Sequence, residues 1–182
     1  MRHTSPNVQA DELRALQAPL KERYRENPRS AVVTLSAHAT LGEGVTCNVQ
    51  TGGRLAAAGL HPASGGDGSA LCSGDMLLEA LAACAGVTMR AVATALAIPV
   101  EGVVSADGDL DFRGTLGVDR EAPVGFRAIR VRFDLDTDAD GEALERLIAL
   151  TERYCVVLQT LAGSPALALS WERTTPVADA RA

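Results

Sequence analysis

The sequence predicts an α+β fold in which an antiparallel sheet packs on one long central helix. Three observations carry this. Strand-like segments mostly follow one another instead of alternating with helices, which disfavours a doubly wound parallel sheet. Residues 74–97 hold a continuous apolar stripe at helical spacing, and residues 103–113 and 126–136 switch to two-residue alternation. At 182 residues the chain suits one domain with an appended terminal element.

Residues 8–27 form the first helix candidate, with Leu13, Leu16, Leu20 and Tyr24 at three- and four-residue steps and Pro28 closing it. Segments 31–37 and 45–50, rich in Val and Thr, read as short strands. The run Gly65-Gly66-Asp67-Gly68 reads as a flexible loop. In the central helix Leu77, Leu81, Cys84, Ala85, Thr88, Val92 and Leu96 share one stripe. Ser73 can cap its start, Asp75 suits the positive end of its dipole, and Pro99 stops it.

Over 103–113, Val104, Ala106, Gly108, Leu110 and Phe112 face inward while Asp107, Asp109 and Asp111 face outward. The alternation runs straight through Asp107-Gly108, which argues against a hairpin turn there, and Gly108 on the buried face lets a helix approach closely. Residues 126–136 place Ile129, Val131, Phe133 and Leu135 inward and Arg130 and Arg132 outward. An acidic strand face beside a basic one favours pairing the two segments. A second helix from about residue 140 carries Leu144, Leu147, Ile148 and Thr151 on its inner face. It continues through Cys155, Leu158 and Leu161 across a break near Tyr154 and ends at Gly163 and Pro165. Residues 166–172 read as a final strand. The expected organisation is an N-terminal helical extension over 1–29, a domain over 30–173 and a disordered tail over 174–182.

Composition removes several function classes. Apolar residues make up 47% and aromatics only 3%, so the core is built from Ala, Leu and Val. The net charge is −6, Lys21 is the sole lysine, and the arginines are scattered. A phosphate-binding surface needs clustered cations, so nucleic acid is not an expected partner. No run of 18 apolar residues points to a membrane span, and the polar start lacks the apolar core of a signal peptide. Four widely spaced cysteines, Cys47, Cys72, Cys84 and Cys155, fit reduced thiols in a cytoplasmic protein. Phosphate loops, dinucleotide fingerprints, nucleophile elbows and Cys-x-x-Cys are missing. His3, His38 and His61 make no metal-ligand spacing with any cysteine, so neither metal nor cofactor is expected.

Cysteine chemistry is what remains. A thiolate that attacks a peroxide needs room for the substrate and a cation that lowers its pKa. Ala82, Ala83, Ala85 and Gly86 leave room around Cys84. The competing reading is packing, because free Cys behaves as a small hydrophobe, and the stripe alone favours it. Cys155 also lies on an inward helix face, so the two sulfurs can meet only if the helices bring them together.

The run Ser73-Gly-Asp-Met-Leu-Leu-Glu-Ala-Leu-Ala-Ala-Cys84-Ala-Gly-Val-Thr88 resembles the central helix of the OsmC/Ohr family, the osmotically inducible and organic hydroperoxide resistance proteins. Gly108-Asp-Leu-Asp-Phe-Arg-Gly114 resembles that family's strand after the helix, and Tyr154-Cys155 with Val156 to Leu161 its second-cysteine helix. The pieces occur in the family's order and span roughly residues 30–173. The resemblance implies an intertwined homodimer with shared active sites, in which Cys84 is the peroxidatic thiolate and Cys155 the resolving thiol. It implies organic hydroperoxides as substrate and an external dithiol, of lipoyl type in one branch, as reductant.

Thr51-Gly-Gly-Arg54 resembles the stretch that carries the family's activating arginine. Leu20-Lys-Glu-Arg-Tyr-Arg25 offers Arg25 as the alternative, and for either a solvated surface charge is the competing reading. Asp75 is nearest to the family's acidic partner. Leu77, Leu81 and Met89 are the expected apolar lining, which would favour alkyl or fatty-acid hydroperoxides over hydrogen peroxide. Val156 stands where the family usually has proline, and this departure motivates a second expectation, a non-catalytic dimer that binds a small apolar ligand or lipid. A hydrolase lacks a suitable histidine near either cysteine in sequence.

Overall fold

The computed structural model describes residues 9–51 and 54–173. The tail, 174–182, expected to be disordered, and Gly52-Gly53 lie outside the described residues. Helix α1 (Ala10–Glu26) is followed by a single 3-10 turn, Pro28–Ala31. Next come β1 (His38–Leu41), β2 (Thr46–Thr51), β3 (Arg54–Gly59) and the two-residue β4 (Leu71–Cys72). They form one sheet in the order β1-β2-β3-β4, antiparallel except for the parallel β3–β4 pair. Helix α2 (Ser73–Leu96) leads to β5 (Glu101–Leu110), the short α3 (Phe112–Thr115) and β6 (Phe126–Asp136). Helices α4 (Gly141–Tyr154) and α5 (Val156–Gly163) complete the described order.

β5 and β6 pair antiparallel, with Ser105 opposite Arg132 and Asp107 opposite Arg130. Arg130 reaches diagonally to Asp109, and its Nη2 donates to Oδ1 at 2.9 Å. These groups are exposed, so the pairing fixes register and adds well under about 1 kcal/mol per ion pair. Inward residues of the two strands pack on α2. Val104, Ala106, Ile129, Val131 and Phe133 surround a cluster of buried Leu81, Ala85 and Cys155, while Met89, Ala93, Val100 and Leu147 form a second cluster. A Cβ on Gly108 would collide with the Phe126 ring and press on Leu78 of α2 at 3.3 Å, so glycine there admits both an aromatic neighbour and the helix.

Several expectations need correction. The strand expected over 31–37 forms instead at His38–Leu41, because Pro28 opens a 3-10 turn first. The segment Arg54-Leu-Ala-Ala-Ala-Gly forms β3, a strand that the sequence does not predict. Residues 166–172 are not a strand; Leu167, Leu169 and Trp171 are 94%, 93% and 84% exposed. Along α2 the deepest line is Leu81, Ala85, Met89 and Ala93, rotated from the stripe drawn through Cys84 and Thr88. The glycine-rich loop is pinned where Asp67 accepts from the Ser69 backbone N–H and hydroxyl at 2.9 and 2.6 Å. By length and composition α2 could cross a membrane; here it is the helix on which β5, α4 and α5 pack.

Candidate active site

Cys84 lies midway along α2 and is half-buried; Cys155, between α4 and α5, is fully buried at 0% exposure. Both belong to one packed cluster with Leu81, Ala85, Val157 and Leu158. All four described cysteines are free thiols.

The break at Cys155 creates the site. Its backbone is extended, φ −72° and ψ 105°, so α4 stops and α5 starts anew. In an unbroken helix the Val156 and Val157 N–H groups would bond to the carbonyls of Glu152 and Arg153. Here they are orphan donors at a helix start that no side chain caps. The side-chain amide of Gln159 takes over the Glu152 carbonyl, donating at 2.9 Å. The freed N–H groups face the sulfur of Cys84.

Electrostatics separate the two thiols. Burial pushes the Cys84 thiol up, but hydrogen bonds from the Val157 N–H, the Cys155 thiol, the Thr88 hydroxyl and the Val156 N–H outweigh it. They hold Cys84 below the ordinary thiol value. Burial pushes Cys155 up as well, and its neighbour Cys84 adds to the rise by hydrogen bond and charge, against the Leu158 N–H. The arrangement favours a thiolate at Cys84 beside a protonated Cys155. Helix α5 adds its positive end at the same place.

Other expected site residues fall elsewhere. Asp75 is nine residues from Cys84, which at about 100° per residue places it on the opposite side of α2. Arg25 is exposed and pairs with Glu22 at 2.8 Å. Arg54 opens β3, but its side chain lies outside what is described. No arginine is among the groups that set the Cys84 shift. Leu77 shares the Cys84 face two turns earlier and is 36% exposed. Met89 points away into the second core cluster, a correction to its expected place beside the thiol. Leu81 touches Cys155 and helps line a groove of about 600 Å³ bounded by β6, α4 and α5. The sequence reading missed Thr88, Gln159 and the two valine N–H groups as site components. Only the non-proline at 156 signalled them, since it restores a donor.

With this geometry in view, comparison with known proteins is informative. The OsmC-like protein family matches residues 66–170. An OsmC-like protein from Mycoplasma pneumoniae superposes with a TM-score of 0.62 at 19% identity, covering 72% of this chain and 89% of that one. An organic hydroperoxide resistance protein OsmC from Legionella pneumophila, also described as a predicted redox protein, gives 0.55 at 19% identity, with 73% and 92% covered. The organic hydroperoxide resistance protein OhrB of Bacillus subtilis gives 0.51 at 19%, with 73% and 93% covered. At these identities the solved structures speak for the fold. No curated protein sequence is a match.

Proposed function

The chain belongs to the OsmC/Ohr family, and on that premise we propose that it is a thiol-dependent peroxidase for organic hydroperoxides, with Cys84 as nucleophile and Cys155 as resolving thiol. The observation that carries this reading is the contact of two free thiols that their surroundings drive apart in pKa, Cys84 down and Cys155 up. A reactive thiol is one held as thiolate by nearby donors.

The chemistry follows from that asymmetry. The Cys84 thiolate attacks the terminal oxygen of R–O–O–H. An S–O bond forms as the O–O bond breaks, leaving Cys84 as a sulfenic acid and the alkoxide to take a proton from solvent and depart as alcohol. The Cys155 thiol then condenses with the sulfenic acid, forming the disulfide and releasing water. An external dithiol restores both thiols by exchange.

A homodimer belongs to the same reading. Leu167, Leu169 and Trp171 alternate with a two-residue period yet stand exposed, as do Val32, Val33 and Leu35 near the other end. Unpaired apolar edges of this kind call for a partner chain. Free thiols throughout fit a reducing, cytoplasmic setting.

The test is a titration of reduced protein with cumene hydroperoxide while free thiols are counted. Loss of Cys84 and Cys155 together, as a disulfide that dithiothreitol reverses, is the expected result. A protein that keeps both thiols is not a peroxidase and leaves the ligand-binding dimer as the reading.

A further inference from the structure

Helix α1 creates a second cleft, of about 540 Å³, against α2 and α4. Its walls include Leu13 and Lys21 from α1, Thr88, Ala95 and Leu96 from α2, and Tyr154 from α4. Three features tie it to the thiols. Cys84, Thr88, Ala91 and Ala95 are spaced as one face of α2, so the cleft runs in line with the reactive sulfur. Thr88, which donates to the Cys84 sulfur, is part of its wall. Tyr154, beside Cys155, forms another part.

The cleft also has a direction. A shallow crevice joins Gln9 and Ala10 to Ala93, Thr94 and Ala97, so α1 begins where α2 ends and the two run antiparallel. Leu13 therefore lies toward Leu96, and Lys21, two turns further along α1, toward Thr88. Lys21 is the only lysine of the chain and makes no ion pair among the described residues. One end thus carries the Thr88 hydroxyl, one helical turn from Cys84, and the exposed Lys21, and the other is lined by Leu13, Val92, Ala95 and Leu96. From Thr88 to Leu96 the helix rises about 12 Å, room for an unbranched chain of about eight carbons.

We propose that this cleft binds the organic group of the substrate, an unbranched alkyl chain whose oxygen end lies at Thr88 and Lys21 next to Cys84. The helical extension is then a specificity element. The inference rests on the peroxidase reading for the identity of the head group, while the cleft itself can be tested without turnover.

The probe is 1-octanol, the alcohol that reduction of 1-octyl hydroperoxide would release, titrated calorimetrically into reduced protein. Wild type and Cys84→Ser should bind it equally. Ala95→Trp and Leu13→Trp fill the cleft from two different helices, at an exposed and a half-buried position. Each should weaken binding about fiftyfold, the loss expected for excluding about three methylenes. Lys21→Met should weaken it less and raise KM for 1-octyl and tert-butyl hydroperoxide alike, because both share the oxygen end, whereas the two tryptophan variants should raise KM for 1-octyl hydroperoxide alone. No binding to wild type, or unchanged binding in both tryptophan variants that retain wild-type circular dichroism, overturns the inference. A changed oligomeric state in Ala95→Trp overturns it too, since the cleft would then be an interface between copies. Thiols that stay unoxidised while octanol binds as described would remove the peroxidase reading and leave the cleft assignment standing.

Discussion

Replacing Val156 by proline removes one backbone donor from the Cys84 sulfur and little else. Val156 is the first residue of α5, the helical position where proline is best tolerated. Proline also demands an extended residue before it, and Cys155 already has φ −72° and ψ 105°. The fold should therefore survive. A hydrogen bond to a charged group is worth about 1.5–3 kcal/mol when buried. Cys84 is half-buried and Val156 is the weakest of its four donors, so about 1.5 kcal/mol is the ceiling, and at 1.36 kcal/mol per decade the profile should move up by less than about one pH unit. A more basic thiolate is more nucleophilic, which returns part of any loss, so the rate with hydroperoxide should fall by no more than about three- to fourfold. The sign is definite. Cys84 is now held low, so its reactivity persists toward acid, and the variant's alkylation profile should move to higher pH. Monobromobimane labelling of a Cys155→Ser background across pH reads this directly, with Val156→Ala, which keeps the N–H, as control. A profile that does not move, or one that Ala moves equally, would refute the claim that this donor holds the thiolate.

Other outcomes follow from the same structure. Thr88→Val should raise the Cys84 profile in the same direction by removing the hydroxyl donor, while Thr88→Ser preserves it, again by alkylation against pH. Cys84→Ser should abolish thiol-dependent peroxide consumption, and Cys155→Ser should consume one equivalent and stall as a dimedone-reactive sulfenic acid. Leu147→Ala, at a fully buried core position, should cost about 2–5 kcal/mol in denaturant unfolding. Asp111 accepts from Arg113 and is held at about 2, against 3.8 when unperturbed. Its contribution is present above the unperturbed value and disappears as pH falls toward 2, so Asp111→Asn should flatten that stretch of the acid unfolding curve.

The elements with one clear environment were legible in the sequence. The segment 126–136 forms β6 with the expected alternation from Ile129 to Asp136, broken only at Arg127 and Ala128, and the acidic and basic faces that predicted its pairing with β5 meet in the observed register. The extent of α2 was readable too, but its phase was not. That helix has apolar residues around most of its circumference, because β5 covers one side and α1 and α4 another, so periodicity does not say which side is deepest. β3 escaped notice because Ala56-Ala57-Ala58 carry little strand preference. The strand expected from Ala166 to Glu172 has the right alternation, but pairing requires a neighbour that a single sequence does not declare. The two sulfurs could be nominated from their motifs, whereas the donors that distinguish them are backbone groups with no letter of their own.

That last point bears on the departure at position 156, which adds a backbone donor to the Cys84 sulfur. Proline after the second cysteine would break the helix by removing a donor; valine leaves the break to be made by other means. Gln159 supplies those means, since its amide occupies the Glu152 carbonyl that the Val156 N–H would otherwise take. The break survives, and the N–H is released toward sulfur. A donor gained at this point reduces the demand for a guanidinium. Among the described groups that act on Cys84 none is a guanidinium. One interruption of one helix therefore accounts for three properties at once: Cys155 is buried with its pKa raised, Cys84 has its pKa lowered, and the two pack in one cluster.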